Sequence, residues 1–189
     1  MKKRDALYYA LLVQGGRSRS EIHSDMVKTI VTVTLIERPA RKLILLRSKT
    51  AVDYMSYCEE MGCDWENDMN EIACRFDDAA IVSLPESMVT PQMSRVASGI
   101  EIPLDHTVDL PRRYEVVDLP PCEFLYFKGA TYDDENDFCE MIGIVSEALN
   151  SYDPEAHGWK FDFESSPSFN YGASSKKGAR MAVPIVKLQ

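Results

Sequence analysis

The chain has 189 residues, of which 45% are hydrophobic and 27% are charged, a composition that fits one folded domain or two small halves sharing a core. It contains no run of about 18 apolar residues, so we expect no membrane-spanning segment. The net charge is −9 and uneven: residues 1–28 carry six basic against three acidic side chains, so the remainder carries −12. This acidity argues against direct binding of nucleic acid by the main domain.

Residues 1–28 are predicted to be a basic helical arm ahead of a main domain at 29–189. The stretch "ALYYALLV" indicates a short amphipathic helix that ends at Gly15–Gly16. Two interpretations of the arm are open, a small DNA-binding hairpin and a docking or oligomerisation segment. The second is favoured, because so short a hairpin lacks a third helix to support it. The oligomeric state does not follow from the sequence.

Two stretches of the main domain have the same build. "LIERPARKLILLRS" (35–48) and "VVDLPPCEFLYFKG" (116–129) each place a proline at a bend shortly before a run of four apolar residues. Pro39 and Pro120 are 81 positions apart, and so are Pro103 and Pro184. Further matches at the same offset are Thr50 with Thr131, Cys58 with Cys139, Glu59 with Glu140, and Gly62 with Gly143. Repeated agreement at one offset predicts an internal duplication.

The first copy, about residues 29–108, is predicted to run strand, helix, strand, strand. "VTVTLIERPARKLILLRS" indicates a strand that its proline interrupts. We expect Thr50 to cap the helix and Asp53 to lie in its first turn. The strands "AAIVSL" and "SRVASGIEIPL" complete the copy. One helical face is predicted from apolar residues at spacings of three and four: Tyr54, Cys58, Met61, Trp65, Met69 and Ile72.

The second copy, about residues 109–189, repeats this order. It begins with the strand "YEVVDLPPCEFLYFKG", and a helix follows the acidic run "DDEND". The last two strands are expected near "WKFDF" or "SFNYG" and at "ARMAVPIVKL". We therefore predict an α+β fold of duplicated β-α-β-β units with pseudo-two-fold symmetry. Its mostly antiparallel sheet would carry two helices on one face and a central cleft. The apolar face of the second helix comprises Phe138, Met141, Ile142, Val145 and Leu149.

No motif indicates a cofactor, a metal ion or a catalytic centre. The five cysteines are odd in number and form no C-x-x-C pair, which is typical of reduced thiols in a cytoplasmic protein. The three histidines lie far apart, so no zinc site is expected. "ASGIE" lacks the serine of a nucleophile elbow, and "QGGRSRS" lacks the Lys-Ser/Thr pair of a phosphate loop.

The order of these pieces resembles the gyrase-inhibitor-like (GyrI-like) effector-binding domain of bacterial AraC-type and MerR-type transcription regulators. The resemblance covers about residues 30–188 and is carried by "VTLIERPARKLILLRSK", "ASGIEIP", "YEVVDLPPCEFLYFKGA" and "ARMAVPIVKL". It implies two β-α-β-β units with a ligand cleft between them. In the multidrug sensors of this family the cleft is aromatic and holds a carboxylate that faces lipophilic cations.

The resemblance directs attention to the aromatic stretch "GWKFDFESSPSFNYG". Where the family often has a glutamate, this chain has Asn170, which favours a neutral, hydrogen-bonded ligand. Glu164, or Glu101 in "GIEIP", would replace that carboxylate if the ligand is a cation. The remaining ligand-binding candidates are aromatic: Trp159, Phe169, Tyr171, Tyr126, Tyr54, Tyr57 and Trp65.

Three functions are compatible with the sequence. The favoured one is a small-molecule sensor for bulky aromatic or lipophilic cationic compounds, linked to transcription regulation or to drug sequestration. A hydrolase of reactive xenobiotics would use the same cleft and need a carboxylate such as Glu164. An inhibitor of a partner protein would act through the acidic surface. A small-molecule ligand is expected in the first two cases, and a DNA-binding partner or a protein target in the first or third.

Overall fold

A computed structural model of the chain describes residues 9–12, 30–109 and 111–188. Within them it contains ten strands and three α-helices. The helices are α1 (Tyr54–Met61), α2 (Trp65–Asn70) and α3 (Phe138–Ser151). The strands are β1 (Tyr9–Leu12), β2 (Ile30–Arg38), β3 (Arg41–Arg47), β4 (Ala80–Ser83), β5 (Val96–Pro103), β6 (Glu115–Leu119), β7 (Cys122–Gly129), β8 (Trp159–Phe161), β9 (Ser168–Ser174) and β10 (Gly178–Lys187).

These strands form one sheet in the order β1-β2-β7-β10-β9-β4-β5-β3-β6, with β8 also paired to β10. Each pairing in it is antiparallel. The prediction of an α+β fold with a mostly antiparallel sheet is therefore confirmed. Both "WKFDF" and "SFNYG" contribute strands, and β9 is the one that lies at the centre, next to β4.

The sheet bends sharply at two short connections that contain proline. Pro39–Ala40 alone link β2 to β3, and Pro120–Pro121 alone link β6 to β7. Such a link spans at most about 11 Å, whereas strands six places apart in a flat sheet are separated by about 29 Å. The sheet must therefore curve back on itself. Its inner face is filled by a hydrophobic cluster that includes Leu43, Val82 and Phe124.

The helices cover the outer face of this curved sheet. Asn170 on β9 is the register partner of both Ile81 on β4 and Met181 on β10, so these three side chains share a face. Ile81 belongs to the cluster beneath α1 and α2, which includes Tyr57, Trp65 and Met69. Met181 belongs to the cluster beneath α3, which includes Met141, Val145 and Ala148. All three helices thus lie on one face, in two separate layers.

The predicted first helix is in fact two helices. α1 ends at Gly62, whose φ of 79° is favourable only for glycine, and α2 begins at Trp65. The N-cap is Asp53 and not Thr50, because the Asp53 carboxylate accepts from the Ser56 amide at 2.9 Å. Thr50 instead bonds Glu60, with 2.7 Å between its hydroxyl and the carboxylate.

The prediction of a helix at the N-terminus is wrong for Tyr9–Leu12. These four residues form β1, which pairs with β2 at one edge of the sheet. The rest of the predicted arm, residues 1–8 and 13–28, lies outside the described residues. A short apolar stretch is compatible with a strand as well as with a helix, and backbone pairing with β2 favours the strand.

Candidate functional site

The outer face of the central strands β4 and β9 lies between the two helical layers. Asn170 and Ile81 lie side by side there, between the cluster beneath α1 and α2 and the cluster beneath α3. Asn170 is half-buried. We call this region the helix groove and define it by Asn170, Ile81, Glu66 on α2 and Ser146 on α3.

Glu66 lies on the side of α2 that faces the central strands. Trp65 and Met69 are buried against the sheet, and Glu66 follows Trp65 by one helical step. Asn70, four residues after Glu66 and on the same side of the helix, accepts from the amide of Ala79 at 2.8 Å. Ala79 directly precedes β4, so this side of α2 is directed toward the groove.

The Glu66 carboxylate is the free acidic group of this region. It is exposed to solvent, and among the described residues it has no hydrogen bond or ion pair. Nearby protein displaces part of the water around this carboxylate and so raises its pKa above the ordinary value of 4.5, and the nearby Asp78 raises it further. A cation that approaches the Glu66 carboxylate would stabilise its ionised form.

On the opposite wall, α3 presents a mixed surface. The Ser146 hydroxyl donates to the Met181 sulfur at 3.8 Å, which fixes Ser146 beside the floor. Ile142 and Leu149 lie four residues before and three residues after Ser146, on the same side of the helix, and both are half-buried. This wall is therefore mainly apolar.

Asn170 has hydrogen-bonding capacity left for a ligand. Its Oδ1 accepts from the Gly172 amide at 2.9 Å, which orients the side chain. Its Nδ2 is not sealed from solvent and donates to none of the described residues. The groove therefore combines one free amide donor, one free carboxylate and apolar walls, an arrangement that suits an apolar ligand with a polar or charged centre.

The aromatic candidates on the first helices separate into core and surface. Tyr57 is fully buried, and its hydroxyl donates to the Leu46 carbonyl at 2.8 Å. Trp65 is 3% exposed and packs edge-on against Tyr57 with ring centroids 5.7 Å apart. Both belong to the core beneath α1 and α2. Tyr54 is 39% exposed, and burial together with the Cys58 thiol raises the pKa of its hydroxyl.

Four other candidates lie on the inner face of the sheet, away from the helix groove. Phe169 and Tyr171 alternate with Asn170 along β9 and therefore point to the opposite face. Their rings stack at 5.9 Å, and Tyr126 lies 5.9 Å from Tyr171. Glu101 is the register partner of Leu43, an inner-face residue. The structure therefore brings these four candidates together on the inner face of the curved sheet and not in the helix groove.

Glu101 is neutralised by two arginines. Its carboxylate is 4% exposed and accepts from Arg38 Nε at 3.2 Å and from Arg41 Nε. Arg41, fully buried, also donates to the Pro120 carbonyl at 2.6 Å and to the Ser166 hydroxyl at 3.2 Å. These contacts join the two proline bends. Glu101 therefore has the bonding of a structural residue, and its charge is not available to a ligand.

A second set of ion pairs links the two halves of the sheet. Arg180 donates to Asp77 at 2.6 Å and to Asp78 at 2.8 Å, and the Tyr126 hydroxyl donates to Asp77 at 2.8 Å. The Tyr171 hydroxyl is buried without a hydrogen-bond partner among the described residues. Burial raises its pKa well above the ordinary value, and the Glu101 and Asp77 carboxylates act in the same direction.

Glu164 and Trp159 are not brought to the groove. Glu164 is exposed in the connection between β8 and β9. Trp159 lies on β8, with the Lys187 ammonium 5.3 Å from its ring centroid. Glu66, in contrast, was not among the predicted residues. The only signal in the sequence is its place directly after Trp65 in the apolar stripe.

No cluster of three or more metal-ligating side chains occurs in the described part of the chain. None of the helices found there is long and apolar enough to cross a membrane. No protein-family model matches the chain, and no curated protein matches it.

Several solved structures are similar in fold. The structure of SAV2435 bound to tetraphenylphosphonium has 13% identity and a TM-score of 0.52, and the match covers 82% of this chain and 93% of that one. EcmrR in a DNA complex has 10% identity and a TM-score of 0.49, over 89% and 62% of the two chains. A bacterial transcription regulation protein from Staphylococcus aureus MU50 has 14% identity and a TM-score of 0.45, over 81% and 97%. The likeness to SAV2435 shows the fold, which fits the GyrI-like domain that the sequence resembles.

Proposed function

We propose that the chain is a small-molecule-binding domain and that its ligand, a bulky aromatic or lipophilic cation, lies in the helix groove. Occupancy of the groove would regulate transcription through a DNA-binding partner, or sequester the drug. The observation that carries the proposal is the free, solvent-facing Glu66 carboxylate beside a half-buried floor with one unused amide donor. The SAV2435 neighbour, with its bound phosphonium ion, supports the ligand class.

The physical argument rests on what the groove leaves unsatisfied. A lipophilic cation has a dispersed charge and an apolar surface, so it gains from the apolar wall of α3 and from the Glu66 carboxylate together. Nothing in the described part of the chain already pairs with Glu66, so the cation displaces no internal partner. Glu101, in contrast, would have to give up two arginines.

We also propose that the groove lies at the junction of two duplicated β-α-β-β units, with halves at about 29–108 and 109–189. At the offset of 81, strands β2, β3 and β5 overlap β6, β7 and β10. β4 and β9 take corresponding places in the sheet, although β9 begins 88 residues after β4. The order β2-β7-β10-β9-β4-β5-β3-β6 then reads the same from either end after exchange of the halves, which supports a pseudo-two-fold arrangement. The pseudo-axis would pass between β4 and β9, beside Ile81 and Asn170.

A cytoplasmic location is part of the proposal. All five cysteines are free thiols, and Cys63 and Cys139 are exposed, which is typical of a protein kept in a reducing compartment. The acidic main domain makes a partner protein, and not this domain, the DNA-binding component.

The test compares a cation with a neutral molecule of the same shape. Calorimetric titration with methyltriphenylphosphonium and with triphenylphosphine oxide should show tighter binding of the cation. Glu66→Gln should weaken the cation about tenfold, since a charge about 6 Å away in a solvent-facing groove contributes ~1–3 kcal/mol, and it should leave the oxide unchanged. Glu59→Gln, an exposed glutamate on α1, is the matched control and should change neither.

The pH dependence provides a second readout. Because the pKa of Glu66 is raised, the carboxylate becomes neutral as pH falls toward 4.5 from above, and affinity for the cation should fall over that range. The Glu66→Gln variant should show a flat profile there. Equal affinity for cation and oxide in the natural chain would refute the role of Glu66. Absence of binding by both probes would refute the proposed function.

A further inference from the structure

A second cavity lies on the opposite side of α2 from the helix groove. Its volume is about 530 Å³, within the size range of small-molecule sites. It is enclosed by α2, by the turn that follows it, and by the connection between β5 and β6. Apolar atoms of Met69, Ile72, Cys74, Val108, Pro111 and Tyr114 line it. We call it the α2 pocket.

The α2 pocket is separate from the groove. Asp68, which lines the pocket, follows Glu66 by two residues, and two residues correspond to about 200° around a helix. The two carboxylates therefore point to opposite sides of α2. The buried Trp65 and Met69 stand between them, against the sheet.

Three carboxylates line the α2 pocket, and only one of them is paired. Asp68 accepts from Arg113 Nη2 at 2.5 Å and from the Tyr114 hydroxyl at 2.9 Å. Arg113 lies over the Tyr114 ring, 5.0 Å from its centroid, so this cation is held against Asp68 and the ring. Glu71 and Asp109 also line the pocket, are exposed, and have no hydrogen bond or ion pair with the described residues.

This arrangement specifies the chemistry of a ligand. The apolar lining favours a hydrocarbon chain or ring, and two unpaired carboxylates favour a positive charge at its end. Carboxylates are hydrogen-bond acceptors only, so the best cation is one that carries N–H donors. A phosphonium or quaternary ammonium ion has none, and so the α2 pocket and the groove would differ in selectivity.

We infer that the α2 pocket is a second binding site, specific for primary or secondary ammonium ions that carry an apolar chain or ring. The ammonium group lies at the rim and donates to Glu71 and Asp109. The apolar part lies along Met69, Ile72 and the Tyr114 ring. This inference does not depend on what the helix groove binds.

The cysteine in the lining provides a direct test on the natural chain. Cys74 is half-buried in the α2 pocket, whereas Cys63 and Cys139 are exposed elsewhere. Alkylation by iodoacetamide is followed at each cysteine by peptide mass spectrometry, with 2-phenylethylamine as the probe. At ten times its Kd about one molecule in eleven remains free, so alkylation of Cys74 should slow about tenfold. Cys63 and Cys139 are the internal references and should not change.

Matched probes and variants separate this site from general binding. Neither 2-phenylethanol nor the trimethylated, quaternary form of the amine should protect Cys74. The double variant Glu71→Gln/Asp109→Asn should remove protection by the amine while binding of methyltriphenylphosphonium stays unchanged. Equal protection by the alcohol, no protection by the amine, or protection that persists in the double variant would each overturn the inference.

Discussion

Substitution of Glu101 by glutamine tests whether this residue supports the fold or binds the ligand. The sequence alone makes it a ligand candidate, whereas in the structure its carboxylate is 4% exposed between Arg38 and Arg41. Glutamine keeps the shape but removes the negative charge. Arg41, which has no exposed surface, would then be a buried guanidinium without a counter-ion.

The size of the effect follows from this burial. Removal of one partner from a buried ion pair costs about 3–5 kcal/mol, because the other charge stays buried and unpaired. For a chain of this length, 1 kcal/mol corresponds to about 2–4 °C in Tm. We therefore expect the Tm of Glu101→Gln to fall by roughly 6–20 °C. The matched control is Glu115→Gln, because Glu115 is 53% exposed and pairs with Arg47 at 3.0 Å, where the expected loss is below about 1 kcal/mol.

Thermal unfolding followed by circular dichroism measures both variants, and calorimetric titration of methyltriphenylphosphonium at 15 °C measures their binding. We expect Glu101→Gln to lose stability and to keep its affinity for the cation. A Tm within about 2 °C of the natural chain would refute the argument from burial. Unchanged stability with lost affinity would identify Glu101 as a ligand-binding residue after all.

Two further substitutions test the hydrogen bond of Tyr57 beneath α1 and the ion pairs of Asp78. Tyr57→Phe removes a buried hydroxyl and should lower the free energy of unfolding, measured in urea, by about 1–3 kcal/mol. Tyr54→Phe, at an exposed position, is the control and should change it by less than about 0.5 kcal/mol. Equal losses in the two variants would contradict the hydrogen bonds assigned to Tyr57. Burial tends to raise the pKa of Asp78, but hydrogen bonds from Lys177 and Arg180 outweigh it and lower the pKa below the ordinary 3.8. Since the folded-state pKa is the lower one, the contribution of Asp78 to stability is complete above the unfolded value and is lost as pH falls below 3.8. The gap in unfolding free energy between the natural chain and Asp78→Asn should therefore narrow from pH 7 to pH 3, and a constant gap would show that the ion pairs contribute nothing.

The main strands could be predicted from the sequence because their signals are local. Alternation of apolar residues and the prolines at 39 and 120 mark strands and bends without knowledge of the partners. The break between α1 and α2 was missed, because the apolar stripe continues at helical spacing across Gly62. A periodic pattern reports which side of a segment is buried, and it does not report whether the backbone hydrogen bonds are continuous.

The site was harder to predict, because neighbouring residues on a strand point to opposite faces. Asn170 lies in the helix groove, while Phe169 and Tyr171 on either side of it pack in the curve of the sheet. Composition alone places all three in one stretch that is rich in aromatic residues. Glu101 and Glu164 were predicted as alternatives, and only their environments separate a paired, buried carboxylate from an exposed one.

What the sequence by itself determined is the kind of element at most positions of the main domain, through hydrophobic periodicity and the prolines at 39 and 120. Hydrophobic periodicity and proline stereochemistry act over a few residues, so they can be recognised in the sequence before the fold is known. Only the tertiary structure decided that Arg38 and Arg41 neutralise Glu101, while Glu66 has no counter-ion among the described residues. Pairing of charges depends on distances between residues that are far apart in the chain, and those distances exist only once the sheet has curved and the helices have packed on its outer face.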